Sequence, residues 1–216
     1  IMAGGVAHDL NNILSGIVNY PELLLAELPD DSPLVRHVTP IKEAGLRAAA
    51  VVADLLTVAR GVAAVREAVT LNEIVSEYLG SPEFAKLKTL HPAIDYRSDL
   101  PNDPCHVNCS VIHVRKCLMN LVTNGSEAVG EAGEVRISTR NIILTSSRTT
   151  HHGTIPPGNY ATLSVRDTGK GIEPESLQHI FEPFFSKKKM GRSGTGLGLT
   201  IVWNTVEDHQ GGISVD

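Results

Sequence analysis

The stretch VAHDLNNILSGIVNYPELL, residues 6–24, carries a four-three repeat of apolar residues that decides the architecture of the N-terminal part of the chain. The repeat consists of Val6, Leu10, Ile13, Ile17, Tyr20 and Leu24. This spacing is typical of the inward-facing seam of a coiled-coil-like helix. A second repeat runs from Leu34 to Ala59, after the turn LPDDSP at residues 28–33. The sequence therefore predicts two long helices that form an antiparallel hairpin.

A single pair of helices cannot enclose its own apolar seams. Pairing with a second copy into a four-helix bundle covers them, so we predict a homodimer formed through residues 1–60. Pro21 and Pro40 fall inside the two helical patterns, where proline removes a backbone hydrogen bond and bends the helix. Either they form a matched bend, or Pro40 lies in the first turns of a helix that begins later.

His8 falls at position f of the first repeat, which points away from the seam and toward solvent. A neutral imidazole has one ring nitrogen free to attack phosphorus, while the other donates a hydrogen bond. Asp9 is a candidate acceptor for that bond. Asn12 shares the helix face of His8 and could orient a water that removes phosphate from a partner. A lone helical histidine is more often a solvated or core residue, so the later motifs decide.

Composition limits the classes of function. The chain has 216 residues with 42% hydrophobic content, enough for one large or two small domains. The net charge of −5 and the 4% aromatic content argue against nucleic-acid binding. No apolar run approaches the roughly 20 residues that span a bilayer, so we expect no membrane contact by this segment and a cytoplasmic location.

Three cysteines, Cys105, Cys109 and Cys117, are too few and too unevenly spaced for a disulfide framework, which favours a reducing compartment. Together with His113, they could suggest a zinc site. The spacing lacks the paired CxxC knuckles of structural zinc sites, so ordinary packing is the favoured interpretation.

The pattern changes after GVAAVREAV, residues 61–69, a predicted linker. Strands are predicted at 93–99, 104–108, 134–144 and 160–166. Helices are predicted at 71–80, 110–129 and 195–209. A mainly antiparallel sheet with helices on one face indicates an α+β two-layer sandwich for residues 70–216, with its last strand cut short. The segment 145–158 is predicted to be an exposed hairpin loop in which His151 and His152 are solvated rather than metal-bound.

Two polar motifs predict a nucleotide site in this second domain. Asn120 and Asn124 lie four residues apart on a predicted helix, and their amide oxygens suit Mg²⁺, which keeps waters and shares substrate phosphates. Asp167 precedes Gly169 and Gly171, which let the backbone approach a ligand closely. Its carboxylate could accept a hydrogen bond from the exocyclic amine of adenine, which favours ATP over GTP. The alternatives are a polar helix face and a tight turn.

A third motif, GTGLGL at residues 194–199, opens a predicted helix with Gly194, Thr195, Gly196, Leu197 and Gly198. Unobstructed amides at a helix start bind phosphate, while the GxGxG spacing without a preceding strand argues against a Rossmann site. The segment FEPFFSKKKMGRS, residues 181–193, suits a mobile lid over a triphosphate. In it, Lys187 and Lys188 either contact phosphate or belong to a solvated loop.

In this order the motifs closely resemble the cytoplasmic core of a two-component sensor histidine kinase. HDLNN is similar to the H box, of the HDxxN kind that includes many hybrid kinases. NLVTNGSEAV, DTGKGI, FEPFF and GTGLGL are similar to the N, G1, F and G2 boxes. The resemblance covers nearly the whole chain. It implies a dimerisation and phosphotransfer hairpin at 1–60, followed by an ATP-binding domain of the Bergerat type at 70–216.

The resemblance also implies roles for individual residues. His8 is the implied phosphoacceptor, Asp9 its acid–base partner and Asn12 the phosphatase residue. In the second domain, Asn124 holds Mg²⁺, Asn120 supports the phosphates and Asp167 reads adenine. The implied partner is an aspartate on a response-regulator receiver domain.

Two rival functions are open. Hydrolysing ATPases on the same nucleotide fold, such as gyrase, mismatch-repair proteins and heat-shock chaperones, carry a glutamate where Asn120 stands. Asparagine cannot act as a base toward water, so the sequence favours transfer to a side chain. The other rival is a catalytically silent dimeric scaffold that binds ATP only for regulation.

Overall fold

Two long helices form the N-terminal part of the chain. Helix α1 spans Met2–Glu27 and helix α2 spans Val35–Ala59, so the predicted hairpin is present. The structure is a computed structural model that describes residues 2–29, 31–59, 65–186 and 195–216. The side chains of residues 2–9, 11 and 56–59 lie outside that description. The chain divides into two units, residues 1–62 and 63–216, and each is described by itself.

Helices α1 and α2 approach each other closely at Gly45. A Cβ atom added there would lie 3.0 Å from Ile17 Cγ2 and 3.1 Å from Val18 Cγ2. Leu14 and Pro21 are the other buried residues that the structure describes in this hairpin. The helices therefore pack through a few small or inward-facing positions near the middle of α1.

The predicted apolar seam of α1 is exposed in the single chain. Ile13 is 63% exposed and Tyr20 is 72% exposed, and Leu10, Ile17 and Leu24 are between 38% and 49% exposed. Leu14, one residue away from the seam, is the one that packs inward. The seam is therefore largely exposed in the single chain, although Ile17 also contacts α2 at Gly45.

Both prolines lie within helices. Because α2 begins at Val35, Pro40 is inside it, and the alternative of a later helix start is wrong. Lys42 forms an ion pair of 3.2 Å with Glu22 on α1. Since these residues neighbour Pro40 and Pro21 in sequence, the prolines lie at similar heights in the hairpin. The matched bend stays a prediction.

The second unit combines five helices and seven strands within the described residues. The helices are α3 (Leu71–Leu79), α4 (Pro82–Leu90), α5 (Val111–Val129), α6 (Pro174–Leu177) and α7 (Gly198–Asp208). The strands are β1 (Glu67–Thr70), β2 (Ile94–Asp99), β3 (His106–Cys109), β4 (Gly133–Leu144), β5 (Arg148–Thr150), β6 (Gly153–Ile155) and β7 (Gly158–Asp167). None of the described helices of the chain is long and apolar enough to cross a membrane.

The main sheet has the order β2-β4-β7 and is mixed, because β2 runs parallel to β4 and β7 runs antiparallel to it. Val135 pairs with Asp167, so the end of β7 lies beside the beginning of β4. One face of the sheet packs against helices around a core of Val75, Tyr78, Phe84, Leu87, Ile94, Leu118, Val122, Val135 and Ile137. The predicted two-layer α+β architecture is confirmed.

Several elements differ from the sequence prediction. Strand β1 begins inside the segment predicted as a linker and pairs antiparallel with β3. Helix α4 was not predicted, although Ser81 caps it by accepting a hydrogen bond of 3.2 Å from the backbone amide of Phe84. The predicted loop at 145–158 contains the β5–β6 hairpin.

His152 is the clearest error of the sequence prediction, because its ring is packed rather than solvated. The ring lies edge-on to Phe181, with the centroids 4.6 Å apart, and 5.9 Å from the ring of Trp203. Its Nε2 atom is buried and has no hydrogen-bond partner among the described residues. Burial lowers the pKa of His152, and the nearby His151 lowers it further.

All three cysteines are buried and free. Cys105 and Cys109 pack with Leu71 and Ile74 in a small second core. Burial raises the pKa of Cys117 to about 11 and also raises the pKa of Cys109. Within the described residues, no group of three or more His, Cys, Asp or Glu side chains is placed to hold a metal ion.

Candidate functional site

Helix α5 brings the predicted asparagines to the beginning of α7. The Asn120 side-chain amide donates a hydrogen bond of 3.1 Å to the carbonyl of Gly198. A Cβ added at Gly198 would lie 3.4 Å from Asn120 Cγ, so the two helices are in contact there. The side chain of Asn124, one turn further along the same face, has no hydrogen-bond partner among the described residues. Its amide oxygen is therefore available to a ligand.

The turn before α7 leaves the first amides of that helix uncapped. Gly196 has φ +71°, and the Leu197 amide donates to Thr195 Oγ1 over 3.2 Å. The helix begins at Gly198 rather than at the predicted residue 195, and no described side chain caps it. The first hydrogen bond of the helix runs from the Ile201 amide to the Leu197 carbonyl. Uncapped amides at a helix start favour a bound phosphate.

The FEPFF segment is fixed to this turn by hydrogen bonds that the sequence did not reveal. The Phe184 amide donates to the carbonyl of Gly196 over 3.0 Å. Thr200 Oγ1, in the first turn of α7, donates to the carbonyl of Phe181 over 3.0 Å. A Cβ at Gly196 would lie 2.6 Å from the carbonyl carbon of Phe184, so only glycine fits there without a shift of the backbone.

Asp167 ends strand β7 and holds the turn that follows it. Its Oδ1 atom accepts a hydrogen bond of 2.8 Å from the amide of Gly169. A Cβ at Gly169 would lie 2.5 Å from the carbonyl carbon of Ala128, so this turn packs directly on the backbone of α5. The Lys170 amide donates to the carbonyl of Ala128 over 3.4 Å. Gly171, at φ +71°, has open space around it.

Gly125 is a functional residue that the sequence prediction missed. It is buried in the middle of α5, and a Cβ there would lie 3.4 Å from Asp167 Cβ and 3.6 Å from Asp167 Oδ2. The missing side chain lets the carboxylate lie against α5, next to Asn124 in the sequence. An isolated glycine inside a helical pattern is a signal of such close approach, and NLVTNGSEAV contained it.

Thr168 is a second missed residue. Its Oγ1 accepts a hydrogen bond of 2.9 Å from the amide of Glu134, and its own amide donates to the carbonyl of Glu134. It therefore ties the turn after β7 to the start of β4. A cleft of about 430 Å³ opens here, lined by Glu134, Arg136, Arg166, Asp167 and Thr168. Asp167 lines this cleft and also lies against α5, whereas the two asparagines do not line it.

Some predicted site residues lie outside the described part of the chain. His8 and Asp9 are within α1, but their side chains are not described. Lys187, Lys188 and Gly194 are not described either. Asn12 is exposed on α1.

The residues that come together form one chemical arrangement. Asn120, Asn124, Asp167, Gly169, Gly196 and Gly198 line α5 or the turns packed against it. The helix-start amides suit phosphate, the carboxylate suits a hydrogen-bond donor, and the amide oxygen of Asn124 suits a hard cation. The donor set fits a nucleotide with Mg²⁺.

Comparison with known proteins supports this chemistry. Residues 109–216 match the family described as histidine kinase-, DNA gyrase B- and HSP90-like ATPase, and residues 1–64 match the His Kinase A phospho-acceptor domain. Over 215 residues the chain is 31% identical to the sensor kinase CckA of Brucella abortus (strain 2308), covering 100% of this chain and 22% of that protein. The first three curated relatives that match are covered over 22% to 45% of their length.

Two solved structures share the fold. Full-length ShkA in complex with AMPPNP gives a TM-score of 0.72 at 22% identity, over 96% of this chain and 40% of that one. The histidine kinase ThkA in complex with the response regulator protein TrrA gives a TM-score of 0.60 at 24% identity, over 98% of this chain and 55% of that one.

Proposed function

This chain belongs to the family of histidine kinase-, DNA gyrase B- and HSP90-like ATPases, and on that premise we propose that it is an ATP-dependent protein-histidine kinase of a two-component system. His8 takes the γ-phosphoryl group of ATP, and an aspartate of a response-regulator receiver domain then takes it from His8. Residues 1–60 form the dimerisation and phosphotransfer hairpin. Residues 61–69 connect it, with β1 beginning inside them, to the ATP-binding domain at 70–216.

The contact between Asn120 and Gly198 carries this proposal. It joins the helix with the asparagines to the uncapped start of α7 in one site. Because the Asn120 amide nitrogen is used in this contact, its role is to hold the phosphate-binding amides in place, while its oxygen supports the phosphates. Thr195, Gly196 and Leu197 form the turn that would lie beside the triphosphate, and we propose Gly194, Lys187 and Lys188 as further phosphate contacts, the lysines through their positive charge.

Asp167 recognises adenine through one carboxylate oxygen. Its Oδ1 atom already accepts the Gly169 amide hydrogen bond, and Oδ2 lies over Gly125. Oδ2 is then the acceptor for the exocyclic amine of adenine. Guanine has a carbonyl at that position, which places two acceptors together, so ATP binds in preference to GTP.

Asn124 is the protein ligand for Mg²⁺, through its amide oxygen. Mg²⁺ held by this oxygen would neutralise negative charge on the phosphates. No described residue forms a hydrogen bond with the Asn124 side chain, so its oxygen is available for this role.

At the other domain, a ring nitrogen of neutral His8 attacks the γ-phosphorus. The nitrogen–phosphorus bond forms as the bond from phosphorus to the β,γ-bridging oxygen breaks, and ADP leaves. Asp9 accepts the hydrogen bond from the other ring nitrogen and balances its growing positive charge. Asn12, one turn along α1, orients a water for dephosphorylation of the regulator.

Hydrolysis is the second candidate function, since the family includes ATPases. Asn120 stands where those enzymes carry a glutamate, and its amide donates to Gly198 rather than accepting a proton from water. This contact favours transfer over hydrolysis.

Incubation with γ-labelled ATP and Mg²⁺ tests the proposal. Acid-labile, base-stable label on the protein is expected from the wild type and absent from His8→Gln, which should still bind ATP. His37→Gln, an exposed histidine on α2, is the matched control and should label normally. Release of free phosphate alone would establish the ATPase, and neither product would establish the scaffold.

Asp167→Asn tests adenine recognition in the same protein. It should weaken ATP binding about tenfold or more, since the amide can present a donor where an acceptor is needed. Asp95→Asn, an exposed carboxylate on β2 paired with Arg97, is the control and should bind ATP normally. Unchanged ATP affinity in Asp167→Asn would remove this assignment.

The exposed seam of α1 supports a homodimer formed through the hairpin. Light scattering should give twice the chain mass. Ile13→Glu, in the seam, should shift the mass toward the monomer, whereas Asn19→Glu, exposed off the seam, should not. A monomer mass at every concentration of the wild type would refute the dimer.

A further inference from the structure

Helices α5 and α7 run antiparallel, and hydrogen bonds join α5 to both ends of α7. At the nucleotide end, the Asn120 amide donates to the Gly198 carbonyl over 3.1 Å. At the other end, the Ser110 backbone amide donates to His209 Nε2 over 3.0 Å. The two contacts lie roughly 15 Å apart along each helix, at 1.5 Å per residue. Between them, the Thr205 side chain lies close enough to the Cys117 thiol to lower its pKa, against the larger effect of burial.

The two partners of His209 determine its tautomer. Nδ1 lies 2.6 Å from the carbonyl oxygen of Thr205, which can only accept, so Nδ1 carries the hydrogen. The backbone amide of Ser110 can only donate, so Nε2 presents its lone pair. His209 is therefore a neutral ring that uses both nitrogens to bridge the end of α7 to the start of α5.

No other described group replaces this bridge. Ser110 is 3% exposed, and its hydroxyl does not cap α5 because it pairs with Nδ1 of His113 over 2.7 Å. Without His209, the Ser110 amide would be buried and unpaired, which is unfavourable. Arg66 also contacts the end of α7 by donating to the carbonyl of Asp208, but this bond does not reach α5.

We propose that His209 is a positioning residue of the nucleotide site, acting from the far end of α7. Its bridge to Ser110 prevents α7 from pivoting about the contact between Asn120 and Gly198. A pivot would turn the helix-start amides away from the phosphates held beside Asn124. This inference rests on the proposed function, since it assumes that those amides bind the phosphates.

Three substitutions at His209 separate its two hydrogen bonds. His209→Gln can place Oε1 near the Ser110 amide and keep the bridge. His209→Asn keeps only a donor for the Thr205 carbonyl, because its side chain is too short to reach α5. His209→Ala removes both bonds. His113→Ala is the matched control, because it removes the bond to the Ser110 hydroxyl within α5 and leaves the bridge to α7 intact.

The dissociation constant of AMPPNP with Mg²⁺, measured by titration calorimetry on the whole chain, is the readout. We expect Kd to rise about five- to tenfold in His209→Ala and His209→Asn, and KM for ATP to rise with it, while His209→Gln and His113→Ala stay within about twofold. Thermal melting followed by Trp203 fluorescence reports whether each variant is folded at the assay temperature.

A purely structural role predicts a different pattern. Fewer folded molecules would lower the binding stoichiometry and kcat, while Kd and KM stayed unchanged in the folded fraction. That result, or a Kd in His209→Gln as weak as in His209→Asn, would overturn the proposal. Asn124→Ala is measured alongside. If it also leaves Kd unchanged, the proposed nucleotide site itself is wrong, whereas weak binding by Asn124→Ala alone overturns only the bridge.

Discussion

Gly196 and Gly171 have the same backbone conformation, φ +71°, in different surroundings. Replacing either by alanine forces an L-residue into the left-handed region, which costs about 1–2 kcal/mol. At Gly171 nothing lies within 4 Å of the added Cβ, so this is the whole expected effect. The pair of variants therefore separates the cost of conformation from the cost of contact.

At Gly196 the added Cβ would lie 2.6 Å, 2.7 Å and 2.9 Å from the carbonyl carbon, Cα and oxygen of Phe184. These are backbone atoms, so no side-chain rotation relieves the contact. The FEPFF segment must move, which breaks the hydrogen bond from the Phe184 amide to the Gly196 carbonyl. Overpacking costs about 1–3 kcal/mol and one lost hydrogen bond about 1 kcal/mol. Gly196→Ala should thus be about 2–4 kcal/mol less stable than Gly171→Ala.

Urea unfolding followed by Trp203 fluorescence measures this difference. Trp203 is the single tryptophan of the chain, and its ring lies 5.3 Å from that of Phe181 in the same segment. The unfolding midpoint should fall much further in Gly196→Ala than in Gly171→Ala, with similar slopes. If both variants lose the same stability, the close approach of Phe184 to Gly196 does not exist and the described attachment of the FEPFF segment to this turn is wrong.

Three further perturbations test other features. Burial lowers the pKa of His152 in the folded chain. As pH falls below about 6.5, the unfolded chain therefore binds a proton at this histidine before the folded chain does, and the free energy of unfolding decreases. His152→Phe, which keeps the ring contacts, should show a smaller loss of unfolding free energy between pH 7.5 and 5.5 (roughly the range of that titration), and an unchanged loss would contradict this. All three cysteines should resist iodoacetamide at pH 8 in the folded protein and react in denaturant, because they are buried and the pKa of Cys117 is raised to about 11; labelling of the native chain, read by mass spectrometry, would argue otherwise. Thr139→Val removes the donor of a 2.6 Å hydrogen bond to Asn72 Oδ1 and should cost about 1–3 kcal/mol in urea unfolding, whereas a neutral result would mean that this amide finds another partner.

Elements with a strong period were predictable from the sequence. The repeats from Val6 to Leu24 and from Leu34 to Ala59 predicted both long helices, and β4 and β7 were predicted to within two residues. Helix α4 carried a start signal in Ser81 and Pro82 but buries only Phe84 and Leu87. Its periodicity was therefore too weak to detect. Strands β5 and β6 are three residues each, and their polar segment does not alternate.

Contacts between residues far apart in the sequence could not be predicted from composition or from the periodicity of apolar residues. The parallel pairing of β2 with β4 depends on the path of the chain through β3 and α5. The motifs identified Asn120 and Gly198 separately, but their contact joins residues far apart in sequence. The packing of His152 was unpredictable for the same reason. Its polar neighbours in the sequence predicted an exposed side chain and gave no sign that the hairpin would fold onto Phe181.

Gly45 is a point about which the two helices of the hairpin could pivot. Since its backbone carries no Cβ and lies against Ile17 and Val18, α1 and α2 come close together there. A scissoring motion of the two helices would open one end as it closed the other, with little displacement at the crossing. His8 and the loop after Glu27 lie on opposite sides of this contact along α1. Displacement of the end of α1 near Glu27 would then move the end that carries His8, the proposed phosphate acceptor, in the opposite sense.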